Sequence, residues 1–337
     1  MNIATPRWWY MRGRGPAPLT RALLRPASWV WTWATARRLA RGRPIDPGVP
    51  VICVGNLTLG GAGKTPVVRE VARTLGATGA DAHILTRGHG GRLKGPLRVD
   101  PDVHTAREVG DEALMMAGEA PVWIARDRAA GAWAAAAGAQ IIVMDDGHQN
   151  PEVRKVVSLV VVDGETRGGE WPFGDGAVFP SGPMREPLAV GLARAHAVVI
   201  LLPADLATAD PDLVALFAGK PLLIAHLQPA AAPPPGPQLG FAGIGKPWKM
   251  ERALKAAGCD LVDFAPLPDH ADIGEATLRF LADRARALGA GLLTSEKDWV
   301  RLPPTWRERV AAWPVKVSFE DPEALARLLA PLLGQPT

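Results

Sequence analysis

The order of elements along the chain predicts an α/β protein: a parallel sheet covered on both faces, followed by a second, smaller α/β unit. Three observations carry this. From residue 48 onward, short apolar runs alternate with helix-forming stretches, and strands that are apolar throughout belong to sheets buried on both sides. A glycine-rich stretch joins the first such run to the first helix. Near the middle, "QPAAAPPPGPQLG" at 228–240 is too rich in proline for a regular element and marks a linker.

The strand-like runs before the break are "VPVICVG" (49–55), "AHILTR" (82–87), "PVWIA" (121–125), "QIIVMDD" (140–146), "SLVVVDG" (158–164), "AVVILLP" (197–203) and "PLLIAHL" (221–227). Between them, "KTPVVREVARTLG", "DEALMMAGE" and "RDRAAGAWAAAAG" carry helical spacing. Beyond the break a shorter alternation follows: "LGFAGIG", a helix from Trp248, "CDLVDFA", a helix from about Ile273, "AGLLTS", "VKVSF" and a closing helix from Pro322. With 337 residues, 47% hydrophobic and 21% charged, the chain has the length and composition of one large or two ordinary globular domains. The two cysteines, Cys53 and Cys259, sit in apolar surroundings and make neither a disulfide framework nor a metal site.

The net charge of +4 is unevenly distributed. Residues 1–45 hold nine arginines and no acid, so the rest of the chain is net acidic. A basic surplus confined to one end speaks against nucleic acid as the partner. It coincides with Trp8, Trp9, Trp29, Trp31 and Trp33. The uncharged run Pro26–Ala36 is far short of the roughly 20 residues that cross a bilayer. Indoles settle at headgroup depth and arginines are drawn to anionic lipid, so the expected element is a helix lying on a membrane surface. A helix packed on the core and a cleaved signal sequence are the alternatives, the latter opposed by the arginines at 37, 38, 41 and 43.

The stretch "GGAGKT" at 60–65 lies between an expected strand and an expected helix, where a phosphate loop sits. Glycines let successive amides turn toward phosphate oxygens, and the helix start adds positive partial charge. Thr58, Leu59, Gly60, Gly61, Ala62, Gly63, Lys64 and Thr65 form the expected nucleotide cradle. Lys64 can reach the β and γ phosphates, and the Thr65 hydroxyl can ligate Mg²⁺. Thr58 stands where the strict pattern has glycine, and the doubled Gly60-Gly61 supplies that flexibility instead. "IIVMDD" ends in Asp145 and Asp146 at the carboxyl edge of a strand, the place for a metal carboxylate, and either acid can be the direct ligand. These residues predict a phosphate-loop core that binds a Mg²⁺-nucleotide. The expected divisions are 1–46 for the membrane-associating segment, 47–228 for the core, 229–237 for the linker and 238–337 for the smaller unit.

Taken together, "VGNLTLGGAGKTPVV", "LTRGHGG", "VGDEALMMA", "MDDGHQN", "FPSGPMREP", "FAGIGKP", "PDH" and "LLTSEKD" resemble the tetraacyldisaccharide 4′-kinase family of lipid A biosynthesis, in the family's order from about 50 to 300. The resemblance implies transfer of phosphate from ATP, with Mg²⁺, to the 4′-hydroxyl of a tetraacylated glucosamine disaccharide 1-phosphate. It also implies a peripheral enzyme at the cytoplasmic face of the bacterial inner membrane, whose second domain closes over the nucleotide. By motif, Asp111 resembles the catalytic base with Glu112 beside it, and His270 resembles the residue paired with that base. Arg87 and Arg185 match positions suited to anionic groups, and Gln149 one that supports the metal site. His89, Asn150 and Ala271 depart from the family pattern. The competing class is a membrane-associated ATPase switch, which usually carries lysine where Leu59 stands. A GTPase is disfavoured, because the lysine of "SEKD" directly precedes the aspartate where guanine readers leave one residue between them.

Overall fold

The computed structural model describes residues 6–13, 17–269 and 273–333. Among these residues, thirteen strands form two sheets: β1 (Val51–Gly55), β2 (Ala82–Thr86), β3 (Leu97–Arg98), β4 (Val122–Ile124), β5 (Ile141–Asp145), β6 (Val157–Asp163), β7 (Ala197–Pro203), β8 (Leu222–Pro229), β9 (Gln238–Ala242), β10 (Leu261–Pro266), β11 (Gly291–Ser295), β12 (Val310–Trp313) and β13 (Val315–Phe319). The large sheet runs β13-β8-β7-β6-β1-β5-β2-β4-β3 and is parallel except at its two edges. The small sheet runs β10-β9-β11-β12 and is parallel throughout. The expected mixed α/β class, with a large parallel sheet and a smaller one, is what the chain forms.

Alternation along the central strands shows why they are apolar on both faces. Ile52 and Val54 of β1, with Ile141 and Val143 of β5, enter the core beneath helix Lys64–Ala77, which contributes Val67, Val68, Val71 and Leu75. Val51, Ile142 and Met144 point the other way, onto Ala132 and Ala135 of helix Arg128–Ala136. The strand order reverses at β1, which lies between β5 and β6. That switch point opens a crevice at the carboxyl edge, where doubly wound sheets bind ligands.

Two features depart from the expected organisation. Val315–Phe319 was expected in the smaller unit, but it pairs antiparallel with β8 in the large sheet, Val317 opposite Leu227. Helix Pro322–Leu333 follows it there, burying Leu325 and Leu329 in the same core as β1. The reason is packing: β8 would otherwise leave an open edge, and Val317 and Phe319 complete its apolar face. The smaller sheet therefore lies between two strands of the larger one. The second departure is β12, which fills the edge of the small sheet without having been read from the sequence.

Near the N-terminus, helix Pro18–Arg41 runs for 24 residues with Pro26 inside it. Its buried residues are Arg21, Ser28 and Thr35, a seven-residue spacing that presents one polar seam to the body. The apolar side chains face outward: Leu19, Leu23, Trp29 and Trp33 are 61–82% exposed. Among the described residues no helix is long and apolar enough to cross a membrane.

If the closing helix belongs to the large sheet's core, Leu325→Ala will destabilise that sheet by about 2–5 kcal/mol. Urea titration with amide exchange followed on β7 and β8 measures it; protection lost only in β9–β12 would contradict the assignment.

Candidate functional site

The glycine loop leaves β1 at Gly55 and turns at Gly60 and Gly63, both at positive φ, before helix Lys64–Ala77 begins. Gly63 is required twice over: its φ is +77°, and a Cβ there would lie 2.3 Å from Leu201 Cδ2. The first half of the loop is held by its neighbour in space. Leu59 N donates to Pro183 O at 2.8 Å, Arg185 N donates to Leu57 O at 2.8 Å, and Arg185 Nε donates to Thr58 O at 2.9 Å. The 14-residue helix then points its first amides and its positive end at the crevice.

Asp145 closes β5 directly beside Val54 of β1, and Asp146 follows at φ +51°, a backbone region that non-glycine residues seldom occupy. Thr86 Oγ1, from the end of β2, donates to Asp145 Oδ2 at 3.0 Å. Buried Arg128 donates to the Asp145 carbonyl at 2.8 Å. Lys64 Nζ lies 3.7 Å from Asp146 Oδ1, and Arg185 NH1 lies 2.9 Å from the same oxygen. The two acids therefore behave differently. Burial, then the nearby Glu112 carboxylate, push Asp145 above the ordinary carboxylate range. Burial also pushes Asp146 up, but Lys64 and Arg185 outweigh it and hold that carboxyl down to about 2.

This donor set fits Mg²⁺. Asp145 Oδ1 is buried with no hydrogen-bond partner among the described residues, and Thr65 is the second residue of the adjacent helix. No cluster of three or more His, Cys, Asp or Glu side chains suited to a metal occurs among the described residues. One or two carboxylates beside a phosphate loop is the pattern for Mg²⁺, which keeps waters and phosphate oxygens as its other ligands.

Gln149 lies below the pair. Its amide donates to Asn56 O at 3.0 Å and to Glu186 Oε1 at 2.9 Å, tying the "DDGHQ" turn to the loop and to the "REP" segment. Arg185 is half-buried within this network, whereas Arg87 is exposed just past the end of β2.

Asp111 and Glu112 open the short helix Asp111–Met116, and Asp111 is buried. Asp111 Oδ1 accepts the Glu112 amide at 2.9 Å. The small sheet's unit supplies their counter-charges: Lys297 Nζ is 3.3 Å from Glu112 Oε1, and Arg301 Nε is 4.0 Å from Asp111 Oδ2. Arg301 is itself fixed by fully buried Asp298, 2.8 Å away, whose other oxygen accepts Gly243 N at 2.9 Å. Burial alone would lower the Lys297 pKa, yet Glu112, Asp111 and Asp269 raise it, so the ammonium stays charged. His270 lies outside the described residues. Its neighbour Asp269 is close to the "GIG" turn: a Cβ on Gly245 would meet Asp269 Oδ2 at 3.4 Å and the Gly61 amide at 4.0 Å.

On the far side of the loop, Asp163 at the end of β6 accepts from Lys246 at 2.9 Å and Lys249 at 2.7 Å, both from the small unit. Burial raises the Asp163 pKa, but the two ammonium groups overcome this and hold it at about 2. Arg69 of the loop's helix bridges Glu119 and Glu296. The crevice is thus closed over by residues 243–249 and 295–301, joined to the large sheet by charge. Sequence reading had passed over Thr86, Arg128, Arg301 and Asp163. For Arg128 and Asp163 the signal was present, a charge inside or at the end of an apolar run; for Arg301 none was.

Comparison with known proteins gives one family. The tetraacyldisaccharide-1-P 4′-kinase family profile matches residues 20–333. A tetraacyldisaccharide 4′-kinase from Phenylobacterium zucineum (strain HLK1) is 68% identical over 96% of this chain and 98% of its own length. That of Caulobacter vibrioides (strain NA1000 / CB15N) is 64% identical over 98% of each. Among solved structures, LpxK from Aquifex aeolicus in complex with ATP aligns with a TM-score of 0.73 and 26% identity, covering 93% of this chain and 99% of that one. With the match spanning both sheets and every element of the crevice, the chain belongs to the tetraacyldisaccharide-1-P 4′-kinase family.

Proposed function

We propose that this chain phosphorylates the 4′-hydroxyl of a tetraacylated glucosamine disaccharide 1-phosphate with ATP, using the crevice between the two sheets. The observation that carries the residue assignments is convergence. The phosphate loop, the Asp145–Asp146 pair and the Asp111–Glu112 pair meet at one edge, close enough for Glu112 to act electrostatically on Asp145. Amides of residues 60–65 and the ammonium of Lys64 receive the phosphates. Asp145, Asp146 and Thr65 would hold Mg²⁺, which when bound neutralises charge on the β and γ phosphates. Asp111 accepts the proton of the attacking sugar hydroxyl. Lys297 and Arg301 place positive charge beside Asp111 and Glu112. His270 is the residue proposed to pair with Asp111, by family motif. Arg87, exposed at the crevice edge, is available to an anionic group of the substrate. Arg185 is committed to Asp146 and Thr58.

An acylated disaccharide stays in the bilayer, so the enzyme has to meet it there. Helix Pro18–Arg41 supports the reading that it does so from the cytoplasmic face of the inner membrane. Its outward side chains are leucine and tryptophan, with exposed Arg25, Arg37, Arg38 and Arg41 interleaved. Such a surface buries indoles at headgroup depth and pairs arginine with anionic lipid.

Labelled ATP, Mg²⁺ and the acylated disaccharide phosphate in detergent will yield labelled lipid; release of free phosphate alone would favour the ATPase switch. Asp111→Asn will lower kcat by about 10²–10⁴-fold with little change in ATP affinity. Affinity lost at normal turnover would count against the base assignment. Replacing Leu23, Trp29 and Trp33 by serine will cut binding to anionic vesicles without lowering Tm, since all three are exposed. Unchanged partitioning would refute the surface helix. Because the Asp145 carboxyl is raised, a proton competes with the cation from above pH 4, so Mg²⁺ affinity will fall on acidification already in that range. Calorimetric titration of the wild type with Mg²⁺ across about pH 5–8 checks the sign.

A further inference from the structure

The segment Val178–Arg185 lies between the N-terminal helix and the phosphate loop and is bonded to both. On the loop side, Met184 bridges Thr58, Pro183 O accepts Leu59 N, and Arg185 bonds Leu57 O through its amide and Thr58 O through Nε. On the helix side, Ser28 Oγ donates to Val178 O at 2.8 Å and accepts Ser181 N at 3.1 Å. One turn further, Trp31 Nε1 donates to Arg185 O at 3.1 Å. The Phe179 ring is held edge-on between Trp9 at 5.9 Å and Trp31 at 4.7 Å. Arg21 of the same helix pairs with Asp175, and the Tyr10 hydroxyl donates to Leu59 O. The inner seam of this helix is polar because its partners are backbone carbonyls and a buried serine.

A helix needed only for lipid contact has no use for these bonds. We propose that helix Pro18–Arg41 has a second role as a brace for the first half of the phosphate loop, with Trp31 the positioning residue that fixes Arg185. The route is short. The Trp31 indole sets the Arg185 carbonyl, and the Arg185 guanidinium holds Thr58 O and Asp146, the acid that faces Lys64. Losing the indole N–H frees Arg185 to move off Asp146, so the loop and the carboxylate lose their shared register. The cost appears as weaker nucleotide binding, before any lipid is present. The proposal rests on the nucleotide-site assignment made above.

The test uses the full chain in detergent without vesicles. Trp31→Phe leaves an aromatic ring beside Phe179 and removes the N–H with the pyrrole part of the indole, at a side chain already 41% exposed. One neutral hydrogen bond corresponds to about a fivefold loss of ATP affinity. The expected result is that loss in Kd and KM for ATP, with kcat reduced less and Tm unchanged. In an Arg185→Lys background the same substitution will have less than about a twofold effect, because the residue it acts through is already altered. An equal effect in both backgrounds, or wild-type ATP affinity in Trp31→Phe, overturns the brace. So does a variant that loses only vesicle binding. Arg185→Lys with wild-type ATP affinity also overturns the brace, whereas Lys64→Ala with wild-type ATP affinity would remove the nucleotide-site assignment itself.

Discussion

Two carboxylates stand side by side at the buried end of β5, and the site is organised around making that tolerable. Leaving such charges unpaired away from water costs several kcal/mol each. Here the load is divided unequally. Asp146 takes the cations, Lys64 and Arg185, and is held ionised, while Asp145 takes a threonine hydroxyl and keeps one buried oxygen without a donor. Lys64 is thereby aimed into the crevice before any phosphate arrives, and Arg185 is fixed against the loop it supports. In the proposed site a metal ion would take the Asp145 oxygen that has no donor, and a phosphate tail would meet Lys64.

The same economy governs the joint between the sheets. The small sheet has its own apolar clusters, around Phe241 on one face and Leu293 on the other. Of its residues, Val300 packs against the large core, while the described contacts across the crevice are mostly ionic. Asp163 with Lys246 and Lys249 lies on one side of the loop; Arg69, Glu112, Glu296 and Lys297 lie on the other. Held mostly out of water, these pairs join the two sheets by charge rather than by a packed apolar interface.

How much of this was legible in the sequence varied with the kind of force involved. The central strands and the loop were, because continuous apolar runs and a glycine turn before a helix are local signals; β1, β5 and the start at Lys64 fell where periodicity put them. β13 was recognisable as a strand but not as a member of the large sheet, since edge pairing with β8 is set by what lies across in space. The N-terminal helix reads as membrane-facing from its indoles, yet nothing local to Ser28 or Trp31 announces bonds to residues some 150 positions away. Arg301 shows the limit most plainly. Its importance comes from Asp111, 190 positions earlier, and it looks in sequence like any surface arginine.

The return of the chain to the large sheet has a mechanical corollary. The small unit is entered from β8 and left into β13, and those strands are hydrogen-bonded neighbours right up to the crossing, where Ala230 N meets Pro314 O at 2.9 Å. A body tethered by one flexible thread can tumble; one suspended from a two-stranded ribbon can only bend and twist about it. A swing of the small unit would be confined close to a single axis, and residues 243–249 and 295–301 would return along the same path. The two paired strands, more than the ionic contacts, would set that path.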